Sequence, residues 1–362
     1  MMLDRRRLLG TFGTVGAYLA LPQTLRAQQR QKVIFGNAAP PSLGSLQLAV
    51  AHVLGYFSAE GLDVEFRAFP GGANTVAQTV NKQAFVSYPG NEPVIIGKQK
   101  GRDPLPVKFF YNAVPTVIWE IVVQDASPIK TLQDLKGKKI GVFAPSASNV
   151  PQVKAILRRE GINPESEVTM RSIGLGAGAL QALTSGTVDV VALYDTEHAT
   201  FETKGVKLRR LPVSPVVEKL FSNGFLTLEE NLADPAKREI LVKVARGVAK
   251  ATLLCETNLE KAVPLFFKLH PEVKPTGIDE KKALEESIYV SRARVDSMRL
   301  RDYQKGQYGL YDPAAWQAYV DFLLAEKEIA QPVDIATLYT NDLILDINKF
   351  DREAIVRHAK AL

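Results

Sequence analysis

Gly55-Tyr56-Phe57-Ser58-Ala59-Glu60-Gly61-Leu62-Asp63-Val64-Glu65-Phe66-Arg67-Ala68-Phe69-Pro70-Gly71-Gly72 joins a helix end, a tight turn, a half-buried strand and a glycine loop in one stretch. Just upstream, Leu46, Ala49, Val50, Val53, Leu54 and Phe57 recur at three- and four-residue steps, the pattern of one buried helix stripe ending near Ser58. Gly61 then reverses the chain. Val64, Phe66 and Ala68 alternate with Asp63, Glu65 and Arg67, which puts the apolar set on one face of a strand. Pro70-Gly71-Gly72 ends that strand and supplies positive-φ freedom before a short helix expected over Thr75 to Asn81. The stretch reads as one βαβ unit.

Such units continue to about Leu211. Strands are expected at Val33 to Gly36, Leu62 to Phe69, Ala84 to Ser87, Val107 to Tyr111, Ile118 to Val123, Lys139 to Phe143, Val168 to Ser172, Val188 to Leu193 and Lys207 to Leu211. After Asn231 the pattern is nearly all helical, with segments at Pro235 to Thr257, Leu259 to Lys268, Asp279 to Tyr289, Pro313 to Glu326 and Arg352 to Lys360. The expected class is α/β, with two mixed, mostly parallel sheets flanked by helices and a helical C-terminal extension. With 362 residues the chain can support two cores. The economical arrangement is discontinuous: residues 32–118 plus 228–362 in one lobe, residues 119–227 in the other, and a cleft between them. Ligands of open α/β sheets bind outside the carboxyl ends of the strands, so both lobes can face that cleft.

The first 27 residues are read as an export signal of the twin-arginine type: Asp4-Arg5-Arg6-Arg7, an apolar run from Leu8 to Leu21, and a small residue at Ala27. That run is shorter than the roughly 20 residues a bilayer span needs. Removing residues 1–27 leaves 41 basic against 38 acidic side chains, so the net charge falls from +6 to +3. Basic and acidic residues are interleaved, which argues against a nucleic-acid surface. Cys255 is the one cysteine, excluding an intramolecular disulfide; it follows Ile240, Val244 and Val248 on a helix face, where a core thiol is expected. The four histidines show no metal-ligand spacing, and no cofactor is expected.

Further motifs carry a family likeness. They are Ser127-Pro128-Ile129-Lys130-Thr131-Leu132-Gln133-Asp134-Leu135-Lys136-Gly137-Lys138-Lys139-Ile140-Gly141-Val142, then Ala182-Leu183-Thr184-Ser185-Gly186-Thr187-Val188-Asp189-Val190, and Tyr194-Asp195. Near the C-terminus come Asp312-Pro313, Trp316 and Leu338-Tyr339-Thr340-Asn341-Asp342. With Gly55 to Gly72, these resemble the substrate-binding proteins of ABC importers, in the group of nitrate, sulfonate, taurine and thiamine-pyrimidine-precursor receptors. The resemblance implies a two-lobed periplasmic-binding-protein fold of type II that closes on a small organic solute and performs no chemistry. It also implies a monomer, soluble in the periplasm, that delivers its solute to a membrane permease. The implied ligand is a pyrimidine-type heterocycle or a sulfonate or carboxylate anion. The same fold includes a pyrimidine synthase and cysteine-dependent desulfinases, and a secreted sensor for a signalling receptor would use the same cleft.

Strand ends place the candidate ligand contacts on a few loops. Ser42 and Leu43 lie in the loop from Ala38 to Ser45, and Tyr88, Asn91 and Glu92 in the loop from Tyr88 to Glu92. Trp119, Tyr88 and Tyr111 offer flat walls, though aromatics at strand ends are equally core residues. Ser146, Ser148 and Asn149 precede a helix, where they either hold an anion or cap the helix. Gly176 and Gly178 lie in Gly174-Leu175-Gly176-Ala177-Gly178, whose spacing departs from the dinucleotide-binding pattern; this is a donating turn in the cleft or a plain turn. Tyr194 and Asp195 pair a stacking ring with a carboxylate that could accept from an amine, and Glu92 offers another; helix-dipole complementation is the plainer role for both acids.

Overall fold

The computed structural model describes residues 30–362, so the expected export signal lies outside the described residues. Ten strands are present: β1 (Gln31–Asn37), β2 (Leu62–Ala68), β3 (Val86–Tyr88), β4 (Val107–Asn112), β5 (Trp119–Gln124), β6 (Lys139–Val142), β7 (Thr169–Ser172), β8 (Val190–Tyr194), β9 (Leu208–Arg210) and β10 (Gly224–Leu228). They form two five-stranded sheets, ordered β2-β1-β3-β10-β4 and β7-β6-β8-β5-β9. β1 pairs in parallel with β2 and β3, as β6 does with β7 and β8. β10 runs antiparallel to β3 and β4, and β5 antiparallel to β8 and β9. Each sheet is therefore mixed, with one reversed strand. In both cases that strand is the first one laid down after the chain crosses from the other sheet.

β10 is the strand that the alternation rule misses. Gly224-Phe225-Leu226-Thr227-Leu228 is buried throughout because it lies inside a sheet covered on both faces, and a continuous apolar run carries no period. By sheet membership the return crossing runs through residues 211–223, ahead of the boundary expected at 227/228. The two crossings are tied to one another: Ser222 N–H donates to the Val114 carbonyl at 3.0 Å, and Val114 N–H donates to that of Asn223 at 3.1 Å.

The helix stripe before Gly55 is real but belongs to two helices, Leu46–Val53 and Tyr56–Ala59, because Gly55 sits at φ 71° between them. Leu46, Ala49, Val50 and Phe57 are buried in the core that the long Pro235–Thr257 helix completes. Cys255 lies in this core, where burial and the nearby Glu256 carboxylate push its thiol pKa up. The helix expected to end at Tyr289 runs on from Glu280 to Met298 and packs against both the Leu259–Leu269 helix and the Asp195–Thr203 helix. It thereby bridges the lobes.

The family-like motifs mostly build scaffold. Asp134 accepts the backbone N–H groups of Lys130 and Thr131, each at 2.9 Å, and Asp189 accepts that of Lys139 at 2.8 Å, which fixes the entry to β6. Asp312 caps the Pro313–Ala325 helix. Trp316 stacks on Tyr339 with centroids 5.5 Å apart, and Phe109 of β4 donates its N–H to the Leu338 carbonyl at 2.9 Å. No helix among the described residues is long and apolar enough to cross a membrane.

Candidate ligand-binding site

Strand register brings the central groups together. Trp119 opens β5 and Tyr194 closes β8, and the two are direct partners in that antiparallel pair. Their rings meet edge to face, with centroids 5.9 Å apart. Tyr88, at the end of β3, approaches from the first sheet, and Ile118, Phe143 and Ala147 complete the apolar lining of a pocket of about 70 Å³. Burial pushes the Tyr88 and Tyr194 hydroxyl pKa values up, so both remain protonated.

Four polar atoms of this pocket are buried without a hydrogen-bond partner among the described residues: Asn37 Oδ1, Tyr88 Oη, Trp119 Nε1 and Asn223 Oδ1. Each such group left unpaired costs about 1–3 kcal/mol, so together they favour a ligand that satisfies them. Their chemistry is partly fixed. An indole N–H can only donate. The Asn223 amide nitrogen is committed to the Tyr88 carbonyl at 3.3 Å, which leaves its oxygen as an acceptor without a partner among the described residues.

Arg294 is the one charged side chain in the pocket lining among the described residues, and its charge is answered within the protein. Nη2 and Nε donate to the two Asp195 oxygens at 2.6 and 3.1 Å, and Nη1 donates to the Gly44 carbonyl at 2.6 Å. Burial opposes the Arg294 charge, yet the adjacent Asp195 carboxylate holds its pKa above the ordinary arginine value. Asp195 is therefore not free to meet an amine. Its carboxylate faces a guanidinium and also accepts its neighbour Thr196 N–H at 2.7 Å.

The lobes touch along a seam on the opposite side of the pocket. Ser148 Oγ accepts the Gly90 N–H at 3.0 Å, the Ser146 carbonyl accepts the Ala73 N–H at 3.0 Å, and Ser146 Oγ donates to the Pro70 carbonyl at 3.3 Å. This contact requires glycine. A Cβ at Gly72 would fall on the Ser148 hydroxyl, and one at Gly71 on that of Ser146.

The sequence candidates divide accordingly. Ser42, Tyr88, Trp119, Ser148 and Tyr194 line the pocket. Ser42, Leu43, Gly176 and Tyr194 line a second cavity of about 390 Å³ that shares the wall formed by Pro40, Ser42 and Tyr194. Ser146 belongs to the seam. Asn149 makes no side-chain cap; it donates instead to the Ala192 carbonyl at 3.1 Å. Asn91 donates to the Phe221 and Ser222 carbonyls and thus braces the return crossing. Gly178 is exposed outside both cavities, and Tyr111 stacks on Phe225 in the core. The pattern reading missed Arg294, Asn223 and Asn37. Arg294 sits in the unforeseen extension of its helix, and nothing local marks a lone asparagine.

Glu92 is buried behind the pocket, its Oε1 accepting the Tyr319 hydroxyl at 2.7 Å and its Oε2 without a partner. Burial raises its pKa to about 7. A carboxyl raised in the folded state contributes stability that is fully present below its unfolded value and lost as pH rises through the folded value. The protein should accordingly lose on the order of 2–3 kcal/mol from this group between pH 4.5 and pH 8. Glu92→Gln should raise the urea midpoint at pH 8 and change little at pH 5; an equal shift at both would refute the assignment.

Comparison with known proteins gives consistent relatives. The family model described as NMT1/THI5 like matches residues 44–260. The riboflavin-binding protein RibY of Chloroflexus aurantiacus is 24% identical over 321 residues, covering 87% of this chain and 86% of that protein. Among solved structures, a protein of Bordetella bronchiseptica aligns with TM-score 0.66 at 21% identity, covering 92% of this chain and 98% of the other. The alkanesulfonate-binding protein SsuA of Xanthomonas axonopodis pv. citri, solved with MOPS bound, aligns with TM-score 0.63 at 16% identity, covering 86% and 99%. The fold is that of periplasmic binding proteins.

Proposed function

Because this chain belongs to the NMT1/THI5-like family, we propose that it is a periplasmic receptor that captures a flat, uncharged nitrogen heterocycle between its lobes for delivery to an ABC importer. The unpartnered polar atoms of the pocket carry this reading. They favour a ligand that donates to Asn223 Oδ1 and accepts from Trp119 Nε1. A ring edge with adjacent N–H and C=O or ring-nitrogen groups supplies both. A sulfonate only accepts, and the Arg294 guanidinium that would attract it is held by Asp195. Binding between the lobes favours the closed shape through contacts made with both. Catalysis by the lone thiol is disfavoured by its full burial in the core.

A thermal-shift panel of riboflavin, an aminopyrimidine and MOPS tests the reading. At a hundredfold excess over its dissociation constant, a true ligand stabilises the fold by about 2.7 kcal/mol. The heterocycles should raise the melting temperature and MOPS should not. A shift with MOPS alone would sink the proposal.

A further inference from the structure

The cleft pocket is small. Its volume of about 70 Å³ is under half of the roughly 150 Å³ that an engineered cavity offers to benzene, so it takes the edge of a ring and not a whole polycyclic solute. The larger cavity of about 390 Å³ lies on the other side of Ser42 and Tyr194, between the loop from Pro40 to Leu43, the Asp195–Thr203 helix and the bridging helix. It is not simply a gap in packing. Leu43, Leu175 and Val290 give it apolar surface. Glu197, 7% exposed, uses one carboxylate oxygen to accept the Gly176 N–H and makes no other hydrogen bond among the described residues. At the rim Lys204 is paired with Glu286 at 3.1 Å. Two carboxylates thus face a single, already paired cation.

We propose that this cavity is a second compartment of the same site, taking an uncharged, hydroxyl-bearing arm of the solute whose ring edge lies against Trp119, Tyr88 and Asn223. The inference rests on the heterocycle reading above and adds what the rest of the molecule must look like. A hydroxyl donates readily, so an arm carrying several can donate to the Glu197 carboxylate oxygen that the Gly176 N–H leaves free. An anionic arm has no free cation to meet and would be repelled by Glu197 and Glu286.

The test compares riboflavin, lumiflavin, which has the same ring with a methyl in place of the polyhydroxyl chain, and flavin mononucleotide, which ends that chain in phosphate. Binding is read by quenching of flavin fluorescence. Riboflavin should bind at least about tenfold more tightly than either of the others, the equivalent of one or two good hydrogen bonds. Glu197→Gln, which keeps an acceptor for the Gly176 N–H and replaces the free carboxylate oxygen with a donor, should weaken riboflavin about fivefold and leave lumiflavin unchanged. Equal binding of riboflavin and lumiflavin, or flavin mononucleotide binding as well as riboflavin, would overturn the second compartment while leaving the heterocycle reading intact. Binding of neither ring would remove both.

Discussion

Gly72→Val should lower solute affinity at least about a hundredfold, some 3 kcal/mol, while the unliganded protein keeps its fold and its urea midpoint. Gly72 has an ordinary negative-φ backbone at the start of the Gly72–Val80 helix, so a side chain there is locally tolerable. The difficulty lies across the cleft. Ser148 could turn its hydroxyl away from an added Cβ, but its own Cβ stands 3.0 Å from that position, and the two further methyls of valine have nowhere to go while the seam is shut. The unliganded chain relieves the clash by parting the lobes, a freedom the liganded chain lacks. Calorimetric titration gives the affinity, and small-angle scattering should show a larger radius of gyration. Wild-type affinity in this variant would mean that the seam does not close on the solute.

Asp195→Ala should destabilise the fold by about 3–5 kcal/mol, because it leaves the Arg294 charge buried without its partner. The pair is 6% and 8% exposed at its side chains, so water cannot replace the lost carboxylate cheaply. Replacing both, with Asp195→Leu and Arg294→Met together, should restore most of the loss, since apolar groups of similar size need no partner. Urea denaturation with an unchanged m value separates a true stability change from a loosened native state. If the single variant keeps the wild-type midpoint, the pair is not closed in solution, and Asp195 is again available to a ligand amine.

The fold was largely legible in the chain because half-buried strands and amphipathic helices leave periodic traces. Leu62–Ala68 could be found this way, whereas Gly224–Leu228, buried on both faces, had no period to find. The candidate site was legible only in outline. Strand-end logic reached Tyr88, Trp119 and Tyr194, since register dictates which residues lie at a sheet's rim. It could not assign Asp195, because its partner lies 99 positions away on a helix that approaches from the other lobe. Several of the family-like motifs were uninformative about ligand, because Asp134, Asp189 and Trp316 hold turns and core rather than the cleft.

The position of β10 also sets an order of events in folding. β4 leaves the ribosome early, yet its ladder partner within the sheet is β10, and β10 also joins β4 to β3. Until Gly224–Leu228 has been synthesised, the first sheet is split, with the β3 and β4 edges unpaired. All of the second sheet, β5 to β9, emerges in that interval. The second lobe can thus complete its own ladder first and then deliver the strand that closes the first, a long loop closure of the kind that slows folding. The most aggregation-prone species should be chains that end between Asn112 and Gly224, which carry an open edge and no strand to fill it.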